Sequence, residues 1–295
     1  MAIKYQRSWQ DRLGQALFYT IIAAIFVVIV YPLWFVVIAS FSHPDAVANG
    51  EVWLLPVRFN LEGYKAIMKE TQLWTGYRNT IFYTTVGTMI SLAVTIPAGY
   101  ALSRPEFMPR KVLNFFFIFT MFFSGGLIPT FLVINKLHMV NTIWVMLIPF
   151  CLNVYNLTIT RSFFQSSIPK ELQEAADIDG CGEIRFFFSI VLPLSKAVLA
   201  VIALYYAVAS WNNYFTPMIY LRDSELQTLQ VYLRSVLMYN ETLGAAAMDG
   251  VDSIQNLTDM IKYGVIVVSS VPMLILYPFV QKYFVKGVMI GAIKG

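Results

Sequence analysis

Charge in this chain is gathered into clusters, and six stretches hold no Asp, Glu, Lys or Arg at all: residues 13–44, 79–103, 112–135, 137–160, 197–221 and 263–281. Each exceeds the roughly 18 apolar residues needed to cross about 30 Å of hydrocarbon at about 1.5 Å per residue. In lipid such a stretch can satisfy its backbone only as a helix or as a strand of a closed barrel. The short alternating segments of a barrel are absent. Composition agrees, because 58% hydrophobic and 13% charged residues leave too little charge to cover a water-facing surface, where soluble domains carry about 25%. The expected fold is therefore all-α and integral to a membrane. Six transmembrane helices are expected at about 14–42, 79–102, 112–134, 141–164, 191–214 and 262–284, and residues 1–295 read as a single transmembrane domain.

Lys4, Arg7 and Arg12 precede the first window like the start of a signal peptide, but the apolar run over 17–39 is far longer than an h-region. It is expected to remain as the first span. With the N-terminus inside, thirteen basic residues fall on cytoplasmic pieces and eight on external ones, so both termini are expected in the cytoplasm. External loops are then 43–77 and 216–260, and a cytoplasmic loop runs over 165–190. The second external loop carries Asp223, Glu225, Glu241, Asp249, Asp252 and Asp259, and Leu226, Leu229, Leu233, Val236 and Leu237 recur at helical spacing within it. Pro97, Pro129, Pro149, Pro217, Pro272 and Pro278 fall inside spans, where kinks are tolerated beside neighbouring helices or a water-lined path. The net charge of +4 flanks membrane spans and calls for no nucleic acid. Cys151 and Cys181 read as ordinary small residues without a disulfide.

Several functions are disfavoured. No ionisable side chain lies deep in a span, whereas ion-coupled carriers commonly place one there. There is no G-x-x-x-x-G-K-[ST] loop, so the chain is not expected to use ATP itself. Only His43 and His138 are present, no H-E-x-x-H, C-x-x-C or G-x-S-x-G occurs, and Gly180-Cys181-Gly182 is followed by Arg185 where a dinucleotide fingerprint needs glycine. No catalytic residue, bound cofactor or metal is expected. A stand-alone carrier or channel remains the alternative to a subunit driven from outside.

The cytoplasmic loop is the most informative segment. Residues 167–180 read as a short helix, with Ser167 as cap, Pro169 in the first turn, Glu171 at the positive end of the dipole and Gly180 as a left-handed stop. Some ten residues are too few to be stable alone. Ala175 and Ala176 permit close approach, and Glu174, Asp177 and Asp179 can meet basic groups of a partner, although an acidic helix facing water would look the same.

Glu174-Ala175-Ala176, three residues, Gly180, nine residues, Ile190, one residue and Leu192-Pro193 resemble the E-A-A-x3-G-x9-I-x-L-P loop of binding-protein-dependent ABC importer permeases. The rest of the chain resembles the carbohydrate, maltose-permease-like branch. The resemblance is carried by Pro44-Asp45-Ala46-Val47, Gly50-Glu51-Val52-Trp53, Asn79-Thr80, Gly99-Tyr100-Ala101-Leu102-Ser103-Arg104, Trp211-Asn212 and the ending from Phe284 to Gly295. The long first external loop is more like that of permeases for oligosaccharides or polysaccharide fragments.

The resemblance implies a type I ABC importer permease fold in a bacterial cytoplasmic membrane. It implies a second homologous permease subunit, two ATPase subunits that hold ATP and Mg, and an external solute-binding protein. Glu171, Leu172, Glu174, Ala175, Ala176, Asp177, Asp179 and Gly180 would form the joint to the ATPase, with Ile190, Leu192 and Pro193 anchoring the loop to span five. An oligosaccharide would meet aromatic faces and amides, for which the spans offer Asn153, Tyr155, Asn156, Trp211, Asn212, Asn213 and Tyr214. Buried amides that tie helices together, and aromatic residues of the interfacial belt, would give the same pattern.

Overall fold

The computed structural model describes residues 9–246, 261–275 and 277–278. Lys4, Arg7, Asp249, Asp252, Asp259, the basic tail with Lys282, Lys286 and Lys294, the ending from Phe284 to Gly295 and the Glu241 side chain lie outside what it describes. Among the described residues there is no strand. The contacts group into two compact units, residues 1–69 with 236–269, and residues 70–235 with 270–295.

In the first unit α1 (Trp9–Ser40) is a 32-residue helix whose side chains are exposed along most of its length. Its end packs Ile38 against Ala46 of α2 (Pro44–Ala48) and against Val52. Phe41 stacks on Phe59 and on Tyr64 of α3 (Glu62–Lys69), and the Tyr64 hydroxyl meets Ser40 Oγ at 2.7 Å. Both cysteines, which belong to the second unit, are free.

The second unit is built on α4 (Thr71–Ser103), 33 residues long with Pro97 inside it. Only α1 and α4 are unbroken helices long and apolar enough to cross a membrane among the described residues, and bent pairs would raise the number to four. The window expected as one span over 112–134 is α5 (Arg110–Phe122) and α6 (Leu127–Lys136), bent by 117°. The bend falls at Gly126, whose φ of 86° suits glycine and breaks the ladder. The window 141–164 is likewise divided, into α7 (Trp144–Leu147) and α8 (Val154–Ser167), around Pro149, which has no N–H to continue a helix. Asn153 restarts it, its Oδ1 accepting from the Asn156 N–H at 3.1 Å.

After α9 (Lys170–Ile178), α10 (Glu183–Phe186) passes into a π-helical turn over Phe187–Val191 and then α11 (Leu192–Leu194). A break at Ser195 turns the chain by 82° into α12 (Lys196–Trp211), so the window expected over 191–214 is bent near its start. The segment then runs through α13 (Phe215–Tyr220) to α14 (Leu229–Ala246). The amphipathic pattern placed a helix start at Leu226, but Leu226 closes a short 3-10 turn instead. The backbone here is latched to α4. Asn79 Nδ2 donates to the carbonyls of Glu225 and Gln227 at 2.7 and 2.9 Å, and Thr80 Oγ1 accepts from the Leu229 N–H at 2.9 Å. The last described helix is α15 (Ile261–Ile275).

Helices α4, α8 and α12 form the body of this unit. Ile96, Tyr100, Phe164, Val198, Ile202 and Tyr206 meet in one buried cluster that also takes in Ala176, Phe186, Phe187 and Val191 from the loop. Gly99 lets α4 and α8 approach, since a Cβ there would lie 2.7 Å from Thr160 Cγ2 and 3.0 Å from its Cβ. Gly99→Ala is expected to lower the melting temperature of the purified protein by an overpacking cost of about 1–3 kcal/mol. Thr160→Ser, which removes the methyl but keeps the hydroxyl bonded to the Asn156 carbonyl, should restore part of the loss in the double variant. Equal melting temperatures for Gly99→Ala and the parent would show that the helices do not pack as described.

Candidate functional site

Two features of the second unit carry the chemistry, a docked loop helix and a cavity between the long helices. The helix α9 starts later than its sequence suggests. The residue before a proline is driven out of the helical region, and Ile168 is accordingly extended, with φ −108° and ψ 101°. Ser167 therefore ends α8 instead of capping α9, and Pro169 occupies the N-cap position rather than the first turn. The far end matches expectation. Gly180 has φ 68°, its N–H donates to the Asp177 carbonyl at 3.1 Å and that of Cys181 to the Ala176 carbonyl at 2.9 Å. These are the paired bonds of a Schellman stop.

One face of α9 is buried through Gln173 and Ala176, with Leu172 half-buried. Glu171, Glu174, Ala175, Asp177, Asp179 and Gly180 stay exposed, and Ile178 and Ile184 are 86% and 77% exposed. The outward face thus combines carboxylates with uncovered apolar side chains, which suits a partner better than water alone. Ile190 and Leu192 pack half-buried against the cluster around Tyr100, while Pro193 is exposed.

The tie that holds α9 is polar, and the sequence motif contains none of it. Glu183 accepts from Gln173 Nε2 at 2.9 Å through Oε1 and from the Tyr100 hydroxyl at 3.2 Å through Oε2. Arg104, 8% exposed at the end of α4, lies over the Tyr100 ring at 4.9 Å and over Phe186 at 5.6 Å. A desolvated guanidinium on two ring faces is favourable. One carboxylate and one cation thereby join α9, α10 and the end of α4. The only hint in the sequence is that Tyr100 and Arg104 close a span beside an acid-rich loop.

The cavity has a volume of about 1400 Å³. Its walls are Ile81, Thr84, Thr85, Thr88 and Met89 of α4, Asn153, Tyr155 and Asn156 at the head of α8, Ala200, Ala203, Leu204, Tyr205, Ala207, Val208, Ala209 and Trp211 of α12, and Pro272, Met273, Ile275 and Tyr277. Of the expected pathway residues, Asn153, Tyr155, Asn156 and Trp211 line it, whereas Asn212, Asn213 and Tyr214 do not. Asn212 bonds back to the Val208 carbonyl, Asn213 Oδ1 accepts from the Thr216 N–H, and Tyr214 carries the Arg234 guanidinium at 4.8 Å. Asn153 spends its Oδ1 on capping α8, and its backbone N–H donates to the Tyr206 hydroxyl at 3.0 Å.

Thr20, Thr130, Thr158 and Thr160 each bond to the carbonyl four residues earlier. Thr84 and Thr88, one turn apart on the cavity wall, have buried hydroxyls without a hydrogen-bond partner, as does Thr228 away from the cavity. Spacing of four within a charge-free window was visible in the sequence, but which threonines would bond back was not.

Comparison with known proteins identifies relatives of the chain. Residues 71–290 match the family described as binding-protein-dependent transport system inner membrane component. The chain is 37% identical over 286 residues to the polygalacturonan/rhamnogalacturonan transport system permease protein YtcP of Bacillus subtilis (strain 168), covering 97% of this chain and all of that protein. It is 29% identical over 295 residues to the maltodextrin transport system permease protein MalD of Streptococcus pneumoniae (strain ATCC BAA-255 / R6), covering 96% and 97%. A crystal structure of a bacterial ABC transporter involved in the import of the acidic polysaccharide alginate contains a chain that superposes with a TM-score of 0.85. It shares 34% identity, covering 94% of this chain and 99% of that one.

Removing the Glu183 carboxylate is expected to loosen α9. Two hydrogen bonds to a charged acceptor are each worth roughly 1.5 kcal/mol when partly exposed. Glu183→Ala should therefore speed amide hydrogen exchange in 170–178 about tenfold or more, with the middle of α4 unchanged. Identical exchange in the two proteins would show that Glu183 does not hold the helix.

Proposed function

Since the chain belongs to the family of inner membrane components of binding-protein-dependent transport systems, we propose that it forms half of the translocation path of an ATP-driven oligosaccharide importer. It spans a bacterial cytoplasmic membrane about six times with both termini inside, broken helices counting toward the spans, and pairs with a second homologous permease. Two ATPase subunits supply ATP and Mg, and an external solute-binding protein delivers the sugar. The chain carries no catalytic chemistry of its own.

The observation that carries this reading is the docking of α9 onto the core that also forms the cavity walls. Glu171, Glu174, Ala175, Asp177 and Asp179 are exposed on one side, while Gln173 and Ala176 face α4 and its neighbours on the other. Closure of the ATPases on ATP displaces α9. The Gln173–Glu183–Tyr100 bonds and the Arg104 stack pass that displacement to the end of α4. Helices α8 and α12 follow because they share its buried cluster. Access to the cavity then changes from the loop side to the opposite side, where the 225–229 backbone is latched to Asn79 and Thr80.

The cavity lining contains no Asp, Glu, Lys, Arg or His among the described residues. A sugar can stack on Tyr155 and Tyr205 and exchange hydrogen bonds with the exposed Thr85, and no charge in the lining traps it on the way. The relatives' named substrates are poly- and oligosaccharides, and an oligosaccharide is the substrate proposed here.

Uptake in proteoliposomes is expected only when ATPase, sister permease, binding protein and ATP are all present. Uptake by this chain alone, without ATP, would favour a stand-alone carrier. Gly180→Val forces a β-branched residue to a φ of 68°, at a cost of about 1–2 kcal/mol to the stop. It should abolish ATP-dependent uptake while membrane insertion stays normal, and undiminished uptake would remove the role given to the loop. Thr85→Val keeps the shape and removes an exposed hydroxyl of the lining, so it should raise the sugar concentration for half-maximal uptake. Unchanged uptake kinetics would take Thr85 out of the path.

A further inference from the structure

The segment that follows α2 makes a closed loop with a charged neck and an apolar tip. Its turning points are Gly50 and Arg58, with φ 71° and 51°. Arg58 Nη2 donates to both carboxylate oxygens of Glu51 at 3.2 and 3.3 Å, which closes the neck. Between them lie Val52, Trp53, Leu54, Leu55, Pro56 and Val57, without a charge. Val52 is buried against Ile38 and Ala46, and Val57 packs beside them. Trp53, Leu54 and Leu55 are 70%, 66% and 72% exposed. Three adjacent large apolar side chains facing outward are costly in water.

Two hydrogen bonds fix where this tip sits. The Trp34 indole N–H donates to the Leu54 carbonyl at 3.0 Å. Trp34 lies inside the charge-free window of α1, six residues before its end at Ser40, hence about 9 Å back along the helix. The loop is therefore drawn down beside α1 to the depth of Trp34, next to Leu33, itself 65% exposed on a helix that faces lipid. The second bond runs from the Trp53 indole N–H to the Gly50 carbonyl at 3.0 Å. Both indole donors are thus spent within the chain, and Pro56 has none. The tip lies beside the end of an apolar helix, at the depth where a span meets the headgroup boundary and where aromatic and apolar side chains are favoured.

We infer that Trp53, Leu54 and Leu55 insert into the lipid leaflet at the C-terminal end of α1 as an interfacial anchor. The Glu51–Arg58 pair stays at headgroup level, and the irregular backbone stays out of the hydrocarbon centre, where it could not be satisfied. This rests on α1 crossing the membrane and not on the identity of the sugar. The anchor continues the lipid-facing surface of α1 and fixes the height of α2 and α3, which share its packing through Ala46 and Tyr64.

The test places the photo-crosslinking residue p-benzoyl-phenylalanine at position 53, 54 or 55 in turn, in the assembled complex in its membrane, with exposed Glu62 as the comparison position. Co-purification of the other subunits shows that each labelled chain has folded and assembled. Illumination followed by mass analysis is expected to give chains heavier by one phospholipid at 53, 54 and 55, and none at 62. A crosslink from these positions to another protein chain would overturn the inference in favour of a subunit contact, and so would the absence of any lipid adduct.

Discussion

A side chain inside a membrane has no water to bond with, so its polar atoms must find partners in the protein or stand in a cavity. The second unit obeys this constraint nearly everywhere. Thr130, Thr158, Thr160 and Ser195 return their hydroxyls to the carbonyl four residues earlier. Thr95 pairs with Tyr206, whose hydroxyl also takes the Asn153 N–H left free by the break before α8. The exceptions include Thr84 and Thr88 of α4, beside the cavity, and Arg161, Gln227 and Thr228 away from it.

Much of this arrangement is legible in the sequence, for a physical reason. Charge is excluded from hydrocarbon whatever the fold, so the six windows survive any rearrangement of helices. Gly180 is legible because a left-handed stop leaves few choices of residue. What failed is what a charge count does not see. Hydropathy treats Gly126 and Pro149 as ordinary members of apolar runs, yet one turns the chain by 117° and the other interrupts a helix. The Ser167 cap failed because Pro169 dictates the backbone of Ile168, a preference between neighbours that outweighs the serine's capping tendency.

The candidate site divides in the same way. Of the motif residues on α9, Glu174 and Ala175 are exposed and Ala176 is buried. The inward contacts, Gln173 to Glu183 and Glu183 to Tyr100, join residues 10 and 83 apart in the chain, and no local pattern announces them. Amides near span ends are ambiguous in sequence, and the structure separates them. Asn153 and Asn213 cap helices, and only the former also borders the cavity.

Transport by such a chain requires that a push on α9 arrive at the cavity rather than be lost in loop motion. A carboxylate with two donors, a guanidinium on two rings and a shared apolar cluster make α9 and α4 one body. The most direct test is the distance between spin labels at Glu174 on α9 and Val94 on α4, measured by pulsed electron resonance in the assembled complex. The account predicts one distance, the same in nucleotide-free and ATP-trapped states, while the whole pair moves. A distance that changes between the two states would contradict it.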